Sequence, residues 1–174
     1  MSASKTTGTV QLEQDFSMDT CKVMVLYENL LARQKAAETC NHMMERLADG
    51  PVFELDWWPF HCLTTPALAQ FAEEAAAEAD IIVFSLHGEE FSKEVVNWLE
   101  NWPARRTNAS GLLVLLATWA ANCPSVMDTP AIQLENVAHR HGMDFLAETH
   151  PEAAAMLVGA LTTDTEAERA AKAA

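Results

Sequence analysis

His87 is the side chain in this sequence best suited to acid–base work at neutral pH, because an imidazole titrates there without help. It lies in the run Ser85–Leu86–His87–Gly88–Glu89, where an apolar segment gives way to a polar turn. Glu28 or Glu89 would orient its ring in that role; a loop histidine bonded to backbone is the favoured reading. Arg33, a short way beyond Glu28 and Asn29, has the charge to meet a phosphate. Trp57–Trp58–Pro59–Phe60 sets three large aromatics side by side. Such faces can sandwich a planar ligand, anchor a second copy, or cap a core. Thr118 and Trp119 close a fourth apolar segment in the way that His87 and Gly88 close the third.

Metal chemistry has little support. His61–Cys62 lacks a second pair at ligand spacing. His139 and His141, two apart near a helix end, point in different directions. No nucleophile elbow, P-loop or dinucleotide fingerprint is present. The expectation is no metal.

The elements that must position these residues follow from hydrophobic pattern and turn chemistry. Lys22–Tyr27, Val52–Trp57, Ile81–Leu86, Leu112–Thr118 and Met143–Ala147 read as strands, the fourth being the most apolar and so central. Helical patterns separate them: Leu30–Ala48, stopped by Asp49–Gly50–Pro51; a helix opened by Thr65–Pro66 as N-cap and first-turn proline and running to about Ala79; Ser92–Trp102; and a helix opened by Thr129–Pro130 and ending at Gly142. Trp98 and Trp102, four apart, continue the Val95/Leu99 stripe and read as packing residues. Glu152–Leu161 reads as a final helix. Strict alternation predicts a parallel sheet covered on both faces with right-handed crossovers, and five strands favour the order 2-1-3-4-5. The fold class expected is therefore a three-layer α/β/α sandwich spanning residues 20–161. Residues 1–19 read as a flexible leader, of which Thr9–Phe16 could add an edge strand, and residues 162–174 as a flexible tail.

Bulk composition bounds the function. The 174 residues are 49% hydrophobic, enough for one domain with a full core. A formal net charge of −14 repels phosphate backbones and anionic lipid, so neither nucleic acid nor membrane is an expected partner. Four scattered cysteines with no CxxC pair suit a reducing compartment, and no segment reads as a signal peptide or membrane span; the expectation is cytoplasmic.

The unit from Ala79 to Trp102 resembles its counterpart in the flavodoxin-like superfamily, most closely in NADPH-dependent FMN reductases and related quinone reductases. Ala79–Asp80–Ile81–Ile82–Val83 matches their Ala-Asp-hydrophobic strand. Val95–Val96–Asn97–Trp98–Leu99–Glu100–Asn101–Trp102 follows their Leu-Lys-Asn-x-Leu-Asp-Trp-like helix: Asn97 and Leu99 align, Glu100 replaces Asp, and the Trp is displaced by one. The order and lengths of the elements extend the resemblance over about residues 21–150, whereas the motif match is confined to this unit. The resemblance implies FMN, with Glu28, Asn29 and Arg33 at the phosphate end, His87, Gly88 and Glu89 beside the isoalloxazine, and Trp58 or Trp119 stacked on it near Thr118. It also makes a homodimer a natural assembly. Two departures point the other way. The loop Glu28–Asn29–Leu30–Leu31–Ala32–Arg33 has no Gly, Ser or Thr, the residue types a phosphate loop uses, and Leu86–His87–Gly88–Glu89–Glu90 replaces a Pro-x-Tyr-Asn-Gly loop. A phosphoacceptor receiver, which shares the fold class, is unsupported because Asp80 starts its strand rather than ending it. The leading expectation is a degenerate flavodoxin-like module that binds a small ligand or protein partner without FMN; the alternative is an FMN- or NAD(P)H-dependent oxidoreductase with an atypical phosphate site.

Overall fold

The computed structural model describes residues 19–88, 90–106, 110–117 and 128–148. Five parallel strands, β1 (Thr20–Tyr27), β2 (Val52–Pro59), β3 (Ile81–Leu86), β4 (Leu112–Ala117) and β5 (Asp144–Glu148), form one sheet in the order β2-β1-β3-β4-β5. Helices α1 (Leu30–Arg46), α2 (Pro66–Glu78), α3 (Lys93–Asn101) and α4 (Asp128–Arg140) make the crossovers. This is the flavodoxin-like arrangement, with its switch point between β1 and β3.

Strand alternation sorts the core into two layers. Met24, Leu26, Ile82, Phe84, Leu113 and Leu115 pack on one face with α2, α3 and α4. Val23, Val25, Ile81, Val83, Val114 and Leu116 pack on the other with Ala36, Cys40 and Met43 of α1. Strands β3 and β4 are buried at every residue, which is why both read as unbroken apolar runs. Edge strand β2 alternates between exposed and half-buried residues over most of its length. Trp98 and Trp102 are buried and stacked with ring centroids 5.6 Å apart, so this pair belongs to the core.

Several expected boundaries move for identifiable reasons. Helix α1 stops at Arg46, with the Leu47 amide closing on Met43 O, so Gly50 serves a following turn and not the helix end. Pro66 takes the first turn of α2 as expected, but the Thr65 side chain makes no capping bond. Chain that read as loop forms a 3₁₀ turn at Phe60–Thr64, and a second at Trp102–Arg105 takes in Trp102, which read as the end of the third helix. The expected helix at Glu152–Leu161, the leader segment Thr9–Phe16 and the tail 162–174 lie outside the described residues. Among the described residues no helix is long and apolar enough to cross a membrane.

The amino ends of the strands are held by side-chain bonds to backbone. Asp80 Oδ2 accepts the Lys22 amide at 2.8 Å while the Asp80 amide donates to Lys22 O at 2.9 Å, joining β1 to the start of β3. Arg106 donates through Nη1 to Ala76 O and Ala79 O and through Nη2 to Ser110 O, tying the end of α2 to the start of β4. Gly111 makes room for that guanidinium: a Cβ there would collide with Arg106 Nη2 and stand 3.0 Å from Met143 Cε. Gly111→Ala is therefore expected to cost about 1–3 kcal/mol, the usual range for overpacking, read as a lower urea midpoint at unchanged slope.

Candidate functional site

Ligands of open parallel sheets bind beyond the carboxyl ends of the strands at the switch point, so the turns after β1 and β3 are the place to look. The first turn is Glu28–Asn29. The Glu28 amide donates to Ser85 O at 3.1 Å, which sets this residue against the end of β3. Its carboxylate then turns toward the second turn, where Oε2 accepts the amides of His87 at 2.7 Å and Gly88 at 2.6 Å. Two backbone donors of the β3 turn are thus bonded to one carboxylate of the β1 turn. Gly88 permits this approach, since a Cβ on it would lie 2.8 Å from Glu28 Oε1.

The amino terminus of α1 is closed in a similar way. Asn29 is the N-cap, and its Oδ1 accepts the Ala32 amide at 3.0 Å. Ser85, fully buried, donates its hydroxyl to Ala32 O at 2.7 Å, so the first turn of α1 is fastened to β3. Arg33 points toward β2: its guanidinium carbon lies 5.1 Å from the centroid of the Trp57 ring and 5.9 Å from that of Tyr27. These are cation–π distances. Between Asn29 and Arg33 the helix presents Leu30 and Leu31, 81% and 58% exposed.

The structure therefore brings Glu28, Asn29, Arg33, His87 and Gly88 together at one end of the sheet. Glu28 binds the backbone of His87, a role that a reading of Glu28 as ring-orienting did not foresee. Trp58 is half-buried against the core, its indole N–H donating to Asp56 Oδ2 at 2.7 Å, and Phe60 is in the core. Candidates Glu89, Thr118 and Trp119 lie outside the described residues. Sequence reasoning passed over Ser85, Leu30, Leu31 and Tyr27. The missed signal was two adjacent leucines at the N-terminus of an otherwise polar helix face. Among the described residues no group of three or more His, Cys, Asp or Glu side chains could hold a metal ion.

The buried thiols are not poised for chemistry. Burial, with a smaller effect from the Asp80 charge, pushes the Cys21 thiol up to about 12, and burial alone pushes Cys40 up to about 11.

No protein-family model and no curated protein sequence matches the chain. Among solved structures it is similar to a short-chain flavodoxin associated with a non-canonical PDU bacterial microcompartment, at 11% identity and a TM-score of 0.46, with 75% of this chain and 83% of that one covered.

Two outcomes are expected from this geometry. Gly88→Ala destabilises the wild-type protein but has little effect in a Glu28→Ala background, because the added methyl then meets no carboxylate; a double-mutant cycle by urea unfolding should give a coupling of about 0.5–3 kcal/mol. In the folded state Cys21 and Cys40 resist alkylation near neutral pH, as peptide mapping by mass spectrometry would report. Because their folded pKa values lie above the ordinary thiol value of 9.0, their effect on stability is fully favourable below pH 9 and is lost as pH rises toward 11–12. Replacing both by Ala should flatten the alkaline fall in the urea midpoint.

Proposed function

We propose that this flavodoxin-like domain is a binding module for a small ligand or a protein partner and not a standard flavoprotein. The observation that carries the reading is the Glu28 carboxylate seated on the amides of His87 and Gly88. Those amides border the switch point, and a cofactor bound there would use such donors. Here they already have an anionic acceptor, and a phosphate or flavin carbonyl brought beside Glu28 would meet negative charge.

The phosphate end fits FMN no better. A phosphate needs several backbone amides and hydroxyls converging on it. The stretch from Glu28 to Arg33 contains no Gly, Ser or Thr. The Ala32 amide is bonded to Asn29, and the Arg33 guanidinium lies over Trp57 and Tyr27. Relative to the FMN reductases that the Ala79–Trp102 unit resembles, this loop is degenerate, and the residues present do not compose a cradle for the cofactor.

What the same edge does offer is a contact surface. Exposed Leu30 and Leu31 adjoin a Tyr27–Trp57–Arg33 cluster. Tryptophan, tyrosine and arginine are the types most enriched among interface hot spots. A protein partner, a second copy included, is the occupant that this chemistry favours.

The direct test is the visible spectrum of the purified protein followed by an FMN titration read by flavin fluorescence. The expected result is a colourless protein with no saturable quenching at micromolar FMN. A yellow protein or saturable quenching would overturn the reading and restore an oxidoreductase whose phosphate lies against Glu28–Arg33.

A further inference from the structure

The flank of the sheet carries a second surface, which meets the strand-end surface at Trp57. Strand β2 pairs with β1 along its whole length, from Thr20↔Val52 to Tyr27↔Pro59. Among the described residues no strand pairs with its other side. An open edge presents backbone donors and acceptors in the spacing a further strand requires, and proteins usually blunt it with lysines, bulges, prolines or brevity. Strand β2 has eight residues, no Lys or Arg, no Gly, and a proline only at its last position. Its two faces are chemically distinct. Glu54 and Asp56 are exposed on the face shared with Met24, while Phe53, Leu55 and Trp57 lie half-buried against the α1 layer.

The acidic face borders a cavity of about 350 Å³ between β2 and α2. Carboxylates of Glu54, Asp56 and Glu78 stand around it, and Met24, Ala75 and Ala79 supply apolar lining. That combination suits the aliphatic stem and cationic head of a lysine or arginine. Lys22, the cation in the lining, is bonded to Glu78 at 2.9 Å.

We infer that β2 is a docking edge for an extended segment of another protein in which Lys or Arg alternates with apolar residues. Backbone pairing along β2 supplies the affinity. The alternation follows from the pleat, since neighbours across a strand pair share a face: basic side chains lie beside Glu54 and Asp56, apolar ones beside Phe53, Leu55 and Trp57. Charge also decides against a second copy. Antiparallel pairing of two β2 strands centred on Leu55 sets Glu54 against the partner's Asp56 twice, and like charges directly opposed are destabilising. The leader segment Thr9–Phe16, with Glu13 and Asp15, carries the same unfavourable sign.

The test uses the full chain and a labelled synthetic peptide of alternating Lys and Val, read by fluorescence anisotropy. Three controls isolate the mechanism: the same residues in scrambled order, the same peptide N-methylated at alternate residues, and an alternating Glu–Val peptide. The expected result is saturable binding of the Lys–Val peptide that is at least tenfold weaker for each control, and a preference inverted by Glu54→Lys with Asp56→Lys. Equal binding of the scrambled or N-methylated peptide would reduce the interaction to attraction by the net charge of −14 and overturn the inference. So would absence of binding, or a dimer in solution that Glu54→Lys with Asp56→Lys alters and the peptide does not displace. None of these outcomes bears on the FMN titration, which probes the opposite concern at the strand ends.

Discussion

The Glu28 carboxylate, bonded to the amides of His87 and Gly88, is the constraint on which the candidate site depends. It lies where the sheet reverses its strand order, so it joins the two turns that this topology otherwise leaves apart for a ligand. Charge-assisted bonds of this kind are stronger than neutral ones, and here both donors are backbone groups that need an acceptor. Ser85 and Asn29 extend the same fastening into α1. The result is a strand-end surface tied by internal bonds, with the amides of Ala32, His87 and Gly88 engaged and Leu30 and Leu31 exposed.

The rest of the architecture supports that surface without specifying it. Two apolar layers clamp the sheet, and the fully buried β3 and β4 form its rigid centre. At the opposite end of the strands, Asp80 and Arg106 satisfy the backbone where β1, β3, β4 and α2 converge. The Asp of the Ala79–Asp80 strand signature thus has a structural explanation: its carboxylate accepts the Lys22 amide. The surfaces proposed for contact are the leucine and aromatic edge above β1 and the open flank of β2.

Some features were legible in the sequence because they depend on local pattern. Apolar runs such as Ile81–Leu86 announced buried parallel strands, alternation of strands with helices announced the crossovers, and the count of strands favoured the order the sheet has. Pro66 marked a helix start because its fixed φ and missing donor suit the first turn. The poverty of the Glu28–Arg33 loop in phosphate-binding residue types was also visible, since it is a matter of composition. Other features were decided only by tertiary structure. Glu28 and Gly88 are sixty residues apart, and no pattern in the chain announces that one accepts the amide of the other; that pairing exists because β1 and β3 are neighbours. The setting of Arg33 over one aromatic ring of β1 and one of β2, and the packing of Trp58 against the core, likewise depend on which elements lie side by side. Local propensity determines which residues form strands and helices, whereas the partner each polar group finds is set by which strands lie side by side.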